Sequence, residues 1–304
     1  MNLPFTLPLA TIIEWMGIPE LASEHGAMID HMLNAVHYFM LFLFVGWTAF
    51  FFYVIWRFRQ KKNPKAKYHG IRSHFSTHLE IGVVIVEVML LIGFAFPLWA
   101  SRVHDFPTGG NPVVLRATGW QFGWTFQYPG QDMKFGPRSE TMVEPANNIG
   151  LDWRDETARD DVVVSRTMVV PVNRPVIIQL TSLDVIHNFA MPNMRIAQDA
   201  IPGSEIPMWF TPTKTGAYDV VCGQLCGSGH YAMQAVLEVV TAEEYEEWVK
   251  MNSDTALKTN TATYEKAVEE GTLPVDKPKK GDKNYGDDHS DEGQHGGDHE
   301  ESTH

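Results

Sequence analysis

The sequence predicts a two-helix transmembrane hairpin, then an all-β sandwich or barrel domain, then a disordered C-terminal tail. Three observations carry this prediction. Two long apolar runs flank a basic segment, residues 113–240 alternate apolar and polar positions in short runs, and residues 274–304 hold almost nothing apolar.

The first apolar run, Val36 to Trp56, is 21 residues in which His37 is the one strongly polar side chain. At helical rise it is about 31 Å long, enough to cross a hydrocarbon core. The second, Ile81 to Trp99, is 19 residues interrupted by Glu87. From Arg57 to Arg72 the basic residues Arg57, Arg59, Lys61, Lys62, Lys65, Lys67 and Arg72 stand without an acid. The first 33 residues carry Glu14, Glu20, Glu24 and Asp30 and no Lys or Arg. Basic loops stay on the cytoplasmic side, so both termini and the following domain are expected on the outer, periplasmic face of a bacterial plasma membrane. Met1–Gly17 lacks a basic n-region and a clean apolar core, so no cleavable signal is expected and the first span serves for export.

Beyond Trp99 the pattern changes to strands. Met168–Val172, Val176–Thr181 and Gln234–Val240 alternate in apolarity, and Asn173-Arg174-Pro175 reads as a turn. Thr241–Met251 is acidic and periodic, a short helix closing the domain. The tail from Pro274 is Asp, Gly, Lys and His. Without apolar side chains it cannot bury a core, and its His289, His295, His299 and His304 read as a solvated run. The expected divisions are an outer N-terminal segment 1–30, a hairpin 31–101 (helices about 34–57 and 79–100, basic loop 57–72), a β-domain 105–250, an extension 251–273 and a tail 274–304.

Net charge is −13, and setting the basic loop aside leaves about −20 for the rest. That balance excludes a nucleic-acid partner. An acidic outer domain would steer a basic protein partner, although acids also serve solubility alone.

The chain has two cysteines, both in Cys222-Gly-Gln-Leu-Cys226-Gly-Ser-Gly-His230-Tyr-Ala-Met233. This places two thiolates, an imidazole and a thioether on one loop, and soft sulfur with imidazole selects copper over hard cations. His187, in Asp184-Val-Ile-His187, is the best second imidazole. A single-copper electron-transfer site needs one Cys, so the extra Cys suggests a second metal bridged by both thiolates. Two competing readings remain. A disulfide suits an oxidising face but leaves the His and Met offsets unexplained; structural zinc takes Cys and His but has no use for Met.

Cys222–Met233 resembles the binuclear CuA loop of the cytochrome c oxidase subunit II family. The likeness spans roughly residues 30–245 and includes the hairpin, an aromatic segment, Asp184-Val-Ile-His187, Asp199-Ala-Ile-Pro-Gly203, and Gly216-Ala-Tyr218 ahead of Cys222. The resemblance implies a cupredoxin sandwich holding two coppers bridged by Cys222 and Cys226. His187 and His230 would supply imidazoles, Met233 its thioether and Gln224 its backbone carbonyl. It also implies the electron-input role of a proton-pumping oxidase. Electrons come from a cytochrome c-type donor, free or within a supercomplex, and go to haem and CuB in subunit I, where oxygen is reduced. Other oxidase subunits and membrane lipid complete the expected partners.

Three sites qualify the resemblance. The family usually has Glu where Gln224 stands, its carboxylate reaching a Mg²⁺ at the subunit I interface, and an amide oxygen offers coordination without the charge. Glu80 matches the family's acid at the mouth of a proton-uptake path. Glu87 lies one heptad deeper and reads as a protonated acid bonded to subunit I. In the aromatic segment Trp120-Gln-Phe122-Gly-Trp124-Thr-Phe-Gln127-Tyr128, the family's electron-input Trp falls on Phe122, and an acid near its docking face falls on Gln127. The input contact then lies among Trp120, Phe122, Trp124 and Tyr128.

Other functions are weighed by what they would require. A quinol oxidase subunit would lack the copper ligands. A non-enzymatic copper carrier needs neither a second span nor an intramembrane acid, and an attached cytochrome c domain needs a Cys-x-x-Cys-His that is absent. A CuA-bearing subunit of a nitric oxide reductase-type enzyme keeps every ligand and stands as the alternative.

Overall fold

The structure is a computed structural model that describes residues 12–65, 68–69 and 74–273. Lys67, Arg72 and the tail from Pro274 fall outside the described residues.

A short helix α1 (Ile12–Trp15) precedes α2 (Gly26–Phe58). The return helix runs over Phe75–Val103 as α3 (Phe75–Leu90), a π-helical turn (Leu91–Ala95) and α4 (Phe96–Val103). Pro97 explains the interruption. It has no N–H to give the Gly93 carbonyl, and its ring would clash there in a regular α-helix. Both helices are long and apolar enough to cross a membrane. They exceed the expected 34–57 and 79–100, and at the ends away from the basic loop the added residues Asp30 and Arg102 reach the β-domain.

The contacts are specific. Ala22 N–H donates to Asn193 O (2.9 Å), Glu24 N–H to Thr211 O (3.0 Å) and Thr213 N–H to Ala22 O (2.8 Å), which makes a strand-like strap. Arg195 donates to Asp30 Oδ1 at 2.7 Å, with both side chains largely buried. At the other helix end, the Arg102 guanidinium lies 3.9 Å from the Trp209 ring centroid and donates to the Trp209 carbonyl. The start of α2 and the end of α4 therefore sit together against the β-domain, and Arg57 and Arg59 lie at the far end of α2.

The β-domain is a sandwich of two five-stranded sheets. In chain order its strands are β1 (Val113–Trp120), β2 (Gly123–Tyr128), β3 (Val162–Ser165), β4 (Thr167–Pro171), β5 (Val176–Ser182), β6 (His187–Met191), β7 (Ile196–Ala200), β8 (Ile206–Phe210), β9 (Gly216–Cys222) and β10 (Gln234–Val240). One sheet has the order β3-β2-β1-β5-β8, the other β4-β10-β9-β6-β7. The alternation read from the sequence becomes burial: Val176, Ile178 and Leu180 point inward from β5, and Ala235, Leu237 and Val239 from β10. Leu115, Trp124, Phe126, Phe189 and Phe210 complete the core. Trp124 meets Phe189 edge-on at 4.8 Å, a packing contact of about 1 kcal/mol beyond area burial.

Residues 128–162 depart from the strand pattern expected across 113–240. With the chain from Val249 onward they form a second compact unit. Its backbone turns on acids: Asp160 Oδ2 accepts from Gln131 N–H (2.8 Å) and Asp132 N–H (3.2 Å), and Asp161 accepts from Gly136 N–H (2.8 Å). Such side chains offer backbone groups an alternative to a ladder, which is why the stretch stays irregular. Helix α5 (Ala242–Glu269) outruns the short helix expected at Thr241–Met251. Its continuation is held in this unit by Ser253 on Asp160 O, Asn260 on Arg159 O and Tyr264 beneath Arg159.

Candidate metal centre

The strand ends bring the ligand types together. His187 opens β6 and Cys222 closes β9. These strands pair in antiparallel register at Phe189↔Cys222. The loop 223–233 then carries the remaining donors, and the β9–β10 ladder closes behind it, with Cys222 N–H donating to Met233 O at 3.2 Å.

Both cysteines are free and buried. Their sulfurs lie 3.9 Å apart, and each has an imidazole beside it: Cys222 Sγ is 3.9 Å from His187 Nδ1, and Cys226 Sγ is 3.6 Å from His230 Nδ1. Met233 Sδ is 3.7 Å from Cys226 Sγ, and the Gln224 carbonyl is 3.2 Å from Cys222 Sγ. The ligand atoms of His187, Cys222 and Cys226 all fall within 4.8 Å of one another. Two thiols, two imidazoles, a thioether and a carbonyl thus converge. Soft sulfur and imidazole are the donor chemistry of copper, so the residues fit that metal.

Neighbouring groups set the donors' states. His187 Nε2 lies 2.8 Å from Asp184 Oδ1, so the proton sits on Nε2 and the Nδ1 lone pair faces Cys222. Burial pushes Asp184 up, but hydrogen bonds from His187, Val185 and Gln121 outweigh it and hold the carboxyl below its usual range. Burial, reinforced by the hydrogen bond with Cys222, pushes the Cys226 thiol up to about 11. Trp124 stands edge-on to His187 at 5.9 Å, and Gly119 leaves the ring its room.

The aromatic segment divides. Trp124 and Tyr128 are 0% and 1% exposed, so neither ring lies on the surface of the chain. Gln127 is also fully buried. Both faces of β2 are covered, which gives the physical reason: every residue of this strand is buried. Trp120 and Phe122 are half-buried at the rim. Trp120 Nε1 donates to Thr125 Oγ1 at 3.1 Å, and the Phe122 ring lies against Gly227 and Gly229. Tyr231, next to His230 and 83% exposed, is a rim aromatic that sequence reasoning passed over. Asp184 was also passed over as a support for His187; its signal was an acid three residues before the imidazole.

The Gln224 side chain is exposed. Far from the centre, Glu80 lies in the second turn of α3 and accepts from Ser76 Oγ at 2.9 Å. Glu87 lies on the inner side of the hairpin near Met32, Val36 and Phe39 of α2.

The family described as cytochrome C oxidase subunit II, periplasmic domain, matches residues 113–240. The chain is 31% identical over 238 residues to the alternative cytochrome c oxidase subunit 2 of Bradyrhizobium diazoefficiens, covering 78% of this chain and 83% of that one. It is 28% identical to the cytochrome c oxidase subunit 2 of Cereibacter sphaeroides, covering 81% of this chain and 78% of that one. A crystal structure of the periplasmic domain of subunit II of cytochrome oxidase from Bradyrhizobium japonicum aligns at 31% identity over 49% of this chain and 99% of that one, with a TM-score of 0.37.

Proposed function

Because the chain belongs to the cytochrome c oxidase subunit II family, we propose that it is the electron-input subunit of a respiratory cytochrome c oxidase. It takes electrons from a cytochrome c-type donor on the outer membrane face and delivers them to the haem of subunit I. Oxygen reduction at haem and CuB, and the coupled proton pumping, belong to that partner.

The observation that carries this reading is the convergence of Cys222, Cys226, His187, His230, Met233 and the Gln224 carbonyl on one buried cluster. These residues would hold a binuclear CuA centre through their thiolate, imidazole, thioether and carbonyl donors. Bound there, copper supplies a one-electron store whose charge is spread over two metals.

The chain's own residues prepare the site. Asp184 fixes the His187 tautomer and ring direction. Burial of Cys222, Cys226, His187 and Met233 excludes water from the donors, while His230 reaches the rim. The strap at 22–24 and the Arg195–Asp30 pair hold the β-domain over the outer end of the hairpin, which agrees with the orientation expected from the basic loop. Glu80, at the opposite end, is the acid we assign to proton uptake. The exposed Gln224 amide presents a neutral oxygen toward any hard cation at the subunit I interface.

Metal analysis and electron paramagnetic resonance of the purified oxidase test the reading. Two coppers per chain beyond that of subunit I, with one unpaired electron shared over both, are expected. One copper, or a signal localised on one nucleus, overturns it.

A further inference from the structure

We propose that Gln121 is a positioning residue that braces the two ligand-bearing loops against each other across the β1–β2 turn. Only the second half of its test rests on the copper reading.

One residue touches both loops. The Gln121 backbone N–H donates to Asp184 Oδ2 at 2.7 Å, and the other oxygen of that carboxylate holds His187. The Gln121 side-chain amide donates to the Cys226 carbonyl at 2.5 Å. The adjoining Phe122 ring presses on the same loop, so close that a Cβ on Gly229 would lie 2.4 Å from it. His187 therefore connects through Asp184 and Gln121 to Cys226 without passing through a strand.

The loop needs such a tie. Regular pairing of β9 ends at Cys222 and resumes at Gln234. Between them the described bonds are mostly internal: His230 N–H to Gly227 O, Ala232 N–H to Gly229 O and Met233 N–H to His230 O. The loop turns at Gly227, whose φ of +138° suits glycine alone. A donor on the Cys226 carbonyl fixes the peptide plane that leads into that turn. The plane then sets how the Gly227–His230 turn carries the imidazole relative to Cys226 Sγ. An exposed glutamine on a hairpin turn is ordinarily free to rotate; here its own anchored backbone aims it.

The test compares wild type with Gln121→Met, which keeps length and loses the donor, and Gln121→Glu, which turns an acceptor toward the carbonyl. The full-length chain is used in detergent. In metal-free protein the amides of His230 and Ala232 should exchange about tenfold faster in both variants, the factor that one hydrogen bond commands. The amide of Val236, bonded to Arg166 O in the flanking ladder, should stay unchanged. In copper-loaded oxidase, the hyperfine pattern and midpoint potential should shift at unchanged copper content. Exchange within about twofold of wild type at both amides, with an unaltered spectrum, overturns the proposal. So does faster exchange that extends to Val236, because Gln121 would then support the fold in general. If wild type binds no copper, the family-based reading fails while the amide comparison still decides the brace.

Discussion

The Nε2 of His187 lies 2.8 Å from Asp184 Oδ1, and the same carboxylate takes the backbone N–H of Gln121 on its other oxygen. The imidazole is thus oriented from behind before any metal arrives. Removing that support should leave the fold intact, since Asp184 is part-exposed, but let the ring turn. Asp184→Ala should lower copper affinity by about 10–100-fold, measured by competition with a chelator. An unchanged affinity would show that Trp124 packing alone orients His187.

The Arg195–Asp30 pair joins the β-domain to the second turn of α2, and Arg195 also donates to the Pro19 and Pro192 carbonyls. Asp30→Ala leaves a guanidinium largely buried with one strong partner missing. The expected loss is about 2 kcal/mol, typical of a hydrogen bond to a charged group. Thermal unfolding of Asp30→Ala, Arg195→Ala and the double variant would reveal the coupling. Additive losses in the double variant would mean that the pair is not coupled.

His25 gives the hairpin joint a pH dependence. Burial, and then the positive charge of Arg102, lower it from 6.5 to about 4 against the pull of the Arg195 carbonyl. The unfolded chain therefore binds a proton between pH 6.5 and 4 that the folded chain refuses, and stability falls as pH drops through that window. By pH 5 the loss is on the order of 2 kcal/mol. His25→Gln should flatten this part of the stability profile between pH 7 and 5. Equal slopes in the two proteins would contradict the assignment.

Electron input should depend on the rim aromatics, not on the buried ones. Phe122→Leu should slow donor-to-copper transfer by less than about tenfold, since a phenyl ring brings no N–H to a partner. Tyr231→Ala should slow it more, because its ring is the outermost aromatic beside a ligand. Trp124→Phe and Tyr128→Phe should change stability before they change rate. Stopped-flow transfer at several salt concentrations separates these outcomes. A hundredfold loss in Phe122→Leu alone, with the centre intact, would restore the indole position as the contact.

Glu80 and Glu87 lie seven residues apart on nearly one face of the return helix. Glu80→Ala should slow turnover where proton uptake limits it, and more than Glu87→Gln. Steady-state oxygen consumption against pH reads the difference. Equal rates in wild type and Glu80→Ala would assign Glu80 a packing role, with Ser76 as its local partner.

Much of the candidate site was legible because its donors are local. Cys222, Cys226, His230 and Met233 share one loop, and four ligands of three types at fixed offsets have few other uses. The hairpin was legible for a similar reason: crossing hydrocarbon demands a long apolar run, and Val36–Trp56 and Ile81–Trp99 supply it. The alternation of Val176–Ser182 and Gln234–Val240 became core strands because a period of two puts every second side chain on one face.

What the linear order withheld depends on residues distant in sequence. The irregular unit at 128–162 and the long α5 follow from Asp160, Asp161 and Arg159 meeting backbone groups and helix residues far along the chain. Burial of Trp124, Gln127 and Tyr128 was decided by both faces of β2 being covered, which no periodicity in that strand announced. By itself, the sequence determined the spans, the strand pattern and the soft ligands of one loop, since each needs only neighbours along the chain. The tertiary structure alone decided which acid holds His187, which glutamine reaches Cys226 and which aromatic stands at the rim. Those choices depend on how separate loops close against each other in space.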